Sequence, residues 1–376
     1  MNEKLYQIAF SLLKGIGKEN AKKFLSLFQN PQQVFTCSKQ ELLFLTGLSP
    51  SVIHTLTEQF PAVLAQAEQE LVYCNQYNIT PLFYTDPDFP QRLLECTDGP
   101  LLLFQKGNAN LNSSKIVSIV GTRMATAYGK EMCNHLVHDL SQFIPNCLIV
   151  SGLAYGIDIT AHRAALQHNL PTIGVMASGF NRIYPSAHRK TAIEMLANGA
   201  ILTEQCYNDE PLKPYFIKRN RIIAGMADAV VVVESAAKGG ALVTASIAGT
   251  YNKDVFVFPG RCVDSVSAGC NALIKHHKAA LIENAGDLID IMGWQTNASV
   301  CTKKNYHKTM PNISHLSDIE QQIVTLLFDK NTLHVEELAS ILGISVADVL
   351  PILLMLEFQN YVVCLPGNRY QIKGSL

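Results

Sequence analysis

The chain opens on apolar positions at helical spacing. Leu5, Ile8, Leu12 and Leu13 recur a turn apart, Gly15-Ile16-Gly17 interrupts them, and Ala21, Phe24, Leu25 and Phe28 resume the period. Apolar residues three and four apart share one helix face, so the pattern predicts two helices joined by a tight glycine hairpin. A weaker copy follows at Leu45–Pro50, where Pro50 suits the first turn of another helix because the N–H it lacks has no intrahelical acceptor there. Residues 1–65 are expected to form a helical domain.

Residues 66–295 carry a different rhythm. A stretch rich in Pro, Asp and aromatic residues, Ile79–Gly107, leads in, with one strand-like run at Leu101–Phe104. Short β-branched runs then alternate with helical patterns: Ile116–Val120, Leu148–Ser151, Thr172–Ala177, Ala200–Thr203, Ala229–Glu234, Val255–Phe258 and Ala279–Ile282. Alternation of this kind predicts βαβ units, and uninterrupted runs such as Val230–Val233 predict strands covered on both faces, hence an α/β fold with a Rossmann-like parallel sheet. Residues 296–315 are polar and aperiodic and read as a linker. In 316–376 the helical patterns Ile319–Phe328, Val335–Leu342 and Val346–Phe358 precede two strands, Tyr361–Leu365 and Tyr370–Ile372, around Pro366-Gly367-Asn368, an order that predicts a winged helix.

Charge narrows the function classes little at the level of the whole chain. Thirty Lys and Arg balance 31 Asp and Glu for a net charge of -1, so any polyanion site depends on local concentration of cations. The ten cysteines form no C-x-x-C pair, and no leader pattern precedes them; they are expected to be reduced thiols of a cytoplasmic protein. No apolar run approaches the ~18–20 residues that span a bilayer.

Ligands of open parallel sheets bind beyond the carboxyl ends of the strands, and those positions are glycine-rich here. The first strand ends in Gly121-Thr122-Arg123, with Thr126 placed to cap the next helix; the second ends in Ser151-Gly152 and runs to Gly156, with Asp158 at a capping position. The third leads to Gly179 and Tyr184-Pro185, and the Ala229–Glu234 strand leads to Gly239-Gly240 and a helix beginning near Leu242. Glycines let backbone N–H groups approach an anion, and the partial positive charge of a helix start adds to that, so the loops are expected to form a phosphate-binding ridge. The dinucleotide pattern G-x-G-x-x-G is absent after the first strand, as is a P-loop, which disfavours nicotinamide and ATP enzymes. The densest basic cluster, Lys213-Pro214-Tyr215-Phe216-Ile217-Lys218-Arg219-Asn220-Arg221, interleaves cations with rings. Single-stranded nucleic acid calls for that mixture: cations for phosphates, a flat ring for an unstacked base.

Taken in order over residues 79–294, these motifs resemble the DprA/Smf family: Gly121-Thr122-Arg123 with Tyr128-Gly129, Ser151-Gly152-x-Ala154-x-Gly156-Ile157-Asp158, Tyr184-Pro185, Arg219-Asn220-Arg221-Ile222-Ile223-Ala224-Gly225, Gly240-x-Leu242-x-Thr244-Ala245 and Gly269-Cys270-Asn271. The resemblance implies an extended Rossmann domain that binds single-stranded DNA, protects it and loads the recombinase RecA in natural transformation, without catalysis or cofactor, as a homodimer. It implies DNA contacts at Arg123, Lys213 and Phe216, and the expected site comprises Gly121, Thr122, Arg123, Gly152, Lys213, Phe216, Arg219, Asn220, Arg221, Gly239, Gly240 and Thr244. Two departures stand out. Phe216-Ile217 replaces a usual Phe-Pro, and Gly239-Gly240-Ala241 replaces Ser-Gly-Ser, leaving Gly239 and Gly240 only their backbone donors. The amino-terminal hairpin resembles a helix-hairpin-helix of the SAM-like type, with Lys14 and Lys18 beside it. The carboxyl-terminal winged helix sets Asp318, Glu320, Asp329, Glu336, Glu337, Asp348 and Glu357 against Lys330, Arg369 and Lys373, so it is expected to meet protein rather than DNA.

The main alternative is a nucleotide-processing enzyme of the phosphoribohydrolase type. Its Gly-Gly-x-Gly-Thr-x-x-Glu element would fall on Gly239–Ser246, which lacks the second glycine, the threonine beside it and the acid needed for proton transfer. His135 and His138 lack carboxylate or thiolate companions at metal-ligand spacing, and His162 is expected to pack at a helix start.

Overall fold

Helix α1 (Asn2–Leu12), α2 (Lys18–Ser26), α3 (Pro31–Thr36), α4 (Lys39–Thr46) and α5 (Pro50–Tyr77) open the chain. In this computed structural model the described residues are 2–15, 18–28, 30–295, 313, 315–330, 332–365 and 367–372. The hairpin's Ile16 and Gly17 therefore fall outside them, as does nearly all of the expected linker. Local chemistry sets the helix ends. Asn30 caps α3 through the Gln33 N–H, Ser38 and Glu41 form a reciprocal capping box on α4, Gly47 ends α4 at a φ of 64°, and Pro50 occupies the first turn of α5.

The chain divides into two units, Met1–Ser299 and Val300–Leu376. The expected boundary between residues 65 and 66 lies inside α5, a single 28-residue helix. The helices do not close a core of their own: Ile8, Phe10, Phe24, Leu42 and Ile53 share one apolar cluster with Phe83, Leu102 and Phe104. Those three belong to strand β1 (Thr80–Phe83) and, beyond the short α6 (Gln91–Leu94), to β2 (Leu102–Gly107), so the amino-terminal helices cover one end of the sheet.

The sheet continues through β3 (Ile116–Val120), α7 (Ala127–Phe143), β4 (Leu148–Ser151), α8 (Ile157–Gln167), β5 (Thr172–Val175), α9 (Arg189–Met195) and β6 (Ala200–Thr203). It is completed by α10 (Lys213–Met226), β7 (Ala229–Val232), α11 (Gly240–Thr250), β8 (Asp254–Val257), α12 (Ala268–Lys275), β9 (Ala280–Leu281) and α13 (Ala285–Ile291). The nine strands lie in the order β1-β2-β6-β5-β4-β3-β7-β8-β9, antiparallel only at β1–β2 and β2–β6. Alternate residues serve opposite faces. Ile116, Val120, Val230 and Val232 pack under α10 and α11, whereas Val117, Ile119, Val231 and Val233 pack under α7, α8 and α13. From β3 the chain proceeds to β4, β5 and β6 on one side and then returns to place β7 on the other. The order thus reverses between β3 and β7, which marks their carboxyl ends as the place for a ligand.

The second unit has its own core around Ile323, Leu327, Leu338, Val349, Leu353 and Ile372. It comprises α14 (Asp318–Lys330), β10 (Thr332–His334), α15 (Val335–Leu342), α16 (Val346–Phe358), β11 (Val362–Leu365) and β12 (Arg369–Ile372), with the sheet ordered β10-β12-β11. The three expected helices and two wing strands are all present. Strand β10, three residues long and paired to β12, was not anticipated, being too short to show an alternation. Among the described residues no single helix is long and apolar enough to cross a membrane.

Candidate nucleic-acid interface

A cavity of about 610 Å³ opens beyond the carboxyl ends of β3 and β7. Ten of the twelve expected site residues line it, Gly152 and Arg221 being the exceptions. Its first wall is the loop after β3. The Thr122 N–H donates to the Glu234 carbonyl at 2.7 Å, while the Thr126 N–H and hydroxyl both donate to the Glu234 carboxylate at 2.8 and 2.7 Å. Thr126 also caps α7 by accepting the Gly129 N–H at 3.1 Å. Buried Glu234 thus fixes the loop at both ends, and Arg123 is left exposed at its crest.

The second wall is the start of α10. Phe216 is half-buried, with the Arg123 guanidinium 5.7 Å from its ring centroid and the Tyr184 ring edge-on at 5.6 Å. Both geometries suit an aromatic quadrupole, with a cation at the face and ring hydrogens at the rim. Lys213 is exposed one turn earlier on the same helix face. The third wall is the loop before α11. Gly239 occupies the cap position and offers no side chain to cap the helix, and a Cβ on Gly240 would have no protein atom within 4 Å, so this helix start is open toward the cavity. Asn220 joins the two walls through a long hydrogen bond, 3.5 Å, to the Gly240 carbonyl. The Thr244 hydroxyl is turned back to the same carbonyl at 3.2 Å, so this buried residue lines the cavity with its hydroxyl already engaged.

Two arginines and a glycine have other tasks than those expected. Arg219 is only 6% exposed, and its Nη1 donates to the Gly152 and Val175 carbonyls at 2.7 and 2.6 Å. Burial lowers its pKa to about 10, with Asp158 opposing that shift, so it remains charged at neutral pH. Asp158 is pushed the other way: burial raises its pKa, held back by Arg219 and by the N–H groups of Ala154 and Gly152. A Cβ on Gly152 would stand 2.1 Å from Arg219 Nη1 and 2.7 Å from Asp158 Oδ2. Gly152 is therefore glycine because a side chain there would collide with Arg219 and Asp158. Nor does Asp158 cap α8: Gly156 is the capping residue, at a φ of 77°, because Thr122 passes too close for any Cβ. Arg221 points to a neighbouring cleft, where its Nη2 binds both Glu204 carboxylate oxygens at 2.6 Å.

One contributor escaped the sequence reading, and another was noted there only for its place in a strand-end loop. Lys238 lines the cavity and is exposed, yet it stands alone between Ala237 and Gly239 with no neighbouring cation to signal it. Tyr184 reaches Phe216 from a separate loop. With the Arg219–Asp158 pair cancelling, the charged lining reduces to Arg123, Lys213 and Lys238, three open cations in a chain whose net charge is -1. Such an array binds an anion chain and stacks a planar group; its buried carboxylates are engaged with structural partners. His162 is fully buried, its Nδ1 2.7 Å from the Thr172 hydroxyl, and burial lowers its pKa to about 3. His135 pairs with Glu131, and His138 meets the His168 ring edge-on.

Comparison with known proteins bears on this geometry. Residues 80–293 match the family described as DNA recombination-mediator protein A, and residues 307–368 match the DprA winged helix domain. The protein Smf of Synechocystis is 29% identical over 98% of this chain and 99% of its own length, and that of Escherichia coli is 32% identical over 76% of each. The crystal structure of DNA processing protein A from Streptococcus pneumoniae superposes with a TM-score of 0.64 at 30% identity, covering 77% of this chain and 97% of that one. The Helicobacter pylori protein, whose structure concerns its single-stranded DNA binding mode, superposes with a TM-score of 0.52 at 30% identity, covering 57% and 96%. Motif order, the sheet and its glycine-loop cavity, and these matches agree: the chain belongs to the DprA/Smf family.

Proposed function

We propose that this chain binds single-stranded DNA in the β3–β7 cavity, with Arg123, Lys213 and Lys238 on phosphates and Phe216, flanked by Tyr184, stacking on a base. The observation that carries the reading is the Arg123–Phe216–Tyr184 arrangement inside a cavity whose open charges are all positive. The Helicobacter pylori relative, described by its single-stranded DNA binding mode, supports it. On this reading the protein shields incoming DNA and passes it to RecA during transformation, as a cytoplasmic homodimer and without a reaction of its own. Glu234 and Asp158, the acids nearest the cavity, are committed to Thr126 and Arg219, which supports binding rather than turnover.

Titrating oligonucleotides against salt tests the proposal. Single strands should bind more tightly than duplex at matched salt, and Arg123→Ala or Lys213→Ala should each lower the salt slope by about 0.7. Phe216→Ala should cost roughly 1–3 kcal/mol with that slope nearly unchanged. Equal or tighter duplex binding, or release of product from nucleoside monophosphates, would reject it.

A further inference from the structure

A second cleft, larger than the first cavity, lies next to the proposed site and is not used by it. Its volume is about 1070 Å³, and its walls come from residues 11–15 at the end of α1, the Thr97–Leu102 segment, the loop after β6, and α10 with α11. Both of those helices run out of the first cavity into this cleft. On α10, Phe216 and Asn220 line the cavity while Tyr215, Lys218 and Arg221 line the cleft, and Ile217, 60% exposed, lines both. On α11, Thr244 lines the cavity and Ile247, one turn on, lines the cleft.

The apolar and aromatic surface of the cleft suits the unstacked bases of a single strand, which a duplex does not present. Its charged lining balances: Lys218 and Arg221 pair with Glu204, Asp98 accepts from the Tyr251 hydroxyl and Asp209 from the Cys206 N–H, and Lys14 is the remaining cation. Tyr215, Ile217, Pro100 and Leu101 supply apolar and aromatic surface, and exposed Lys14 stands at the far end, its backbone fixed on both sides by Gln59. We infer that the cleft continues the binding track, so that a strand leaving the β3–β7 cavity crosses Ile217, lays its bases against Tyr215 and ends with a phosphate at Lys14. This extension rests on the proposed function; it assigns Lys14 a place at the end of a strand already held elsewhere.

Oligonucleotide length separates the two ideas. The full-length protein is titrated with oligothymidylates of about 5 and about 20 nucleotides, near the two ends of the ~4–16 nucleotides that single-strand-binding OB folds occupy. Lys14→Glu and Tyr215→Ala, at positions that line the cleft and not the cavity, should weaken the longer strand about threefold to tenfold and leave the shorter one unchanged, while Phe216→Ala weakens both. Melting curves confirm that each variant is folded. If the two cleft variants bind both lengths like the parent while Phe216→Ala still weakens both, the track stops at the first cavity and the inference is overturned. Loss of the same size at both lengths overturns it as well. If Phe216→Ala changes neither length, the proposed function itself has failed.

Discussion

Arg219 offers the sharpest test of how the site is built, because residue type alone makes it a DNA contact and the structure makes it a strut. Arg219→Met keeps the apolar stem and removes the guanidinium. Two charge-assisted bonds to the Gly152 and Val175 carbonyls are lost, each worth about 1.5–3 kcal/mol, and Asp158 is left buried without its cation. Breaking a buried pair from one side typically costs about 3–5 kcal/mol. Asp158 retains the N–H groups of Ala154 and Gly152, and its pKa is already raised by burial, so it can take up a proton. That puts the expected loss near the lower end, about 3 kcal/mol. Denaturant titration should show the variant's midpoint falling accordingly, and Asp158→Asn added to Arg219→Met should recover part of the loss. Single-strand affinity per folded molecule should stay within about twofold of the parent, with the salt slope unchanged. An unshifted midpoint together with a shallower salt slope would refute the reasoning and return Arg219 to the phosphates.

Glu234→Ala should cost about 1–3 kcal/mol in thermal or chemical unfolding and also weaken strand binding, since it releases the Thr126 N–H and hydroxyl that hold the Arg123 loop; full affinity would show the loop needs no such support. His162 has a folded-state pKa depressed from 6.5 to about 3, so its stabilising contribution is complete above the unfolded value and is lost as pH falls through that window. Between pH 7 and 5 the parent should lose about 2 kcal/mol more than His162→Asn, and identical pH profiles would contradict this. Removing residues 316–376, where acids outnumber bases, should leave single-strand affinity within about twofold, and a large loss in a folded truncation would assign that unit to DNA.

The βαβ order, the glycine loops and the winged helix were legible because each is written in short-range chemistry. A strand buried on both faces must be apolar throughout, as Val230–Val233 is, and a helix start announces itself through Thr126 or Pro50. Clustered cations and a ring at Lys213–Arg221 likewise pointed to a helix that lines the cavity. Which side of that helix faces the cavity is not a local property. Lys213, Phe216 and Asn220 share one face, while Arg219 turns under the loops and Arg221 turns to Glu204, and only the packing of α10 against the sheet distinguishes these neighbours. The helix α5 crosses an expected boundary for a related reason: the apolar faces before it are completed by Phe83, Leu102 and Phe104, strand residues that no helical period in the first 65 positions can announce. Lys238 and Tyr184 join the site from loops 54 residues apart in numbering, brought together because β5 and β7 end on the same edge of one parallel sheet. Sequence by itself determined which kinds of side chain were available at the strand ends; tertiary structure decided which of them stay open to solvent, because burial converts a cation from a binding group into an internal hydrogen-bond donor.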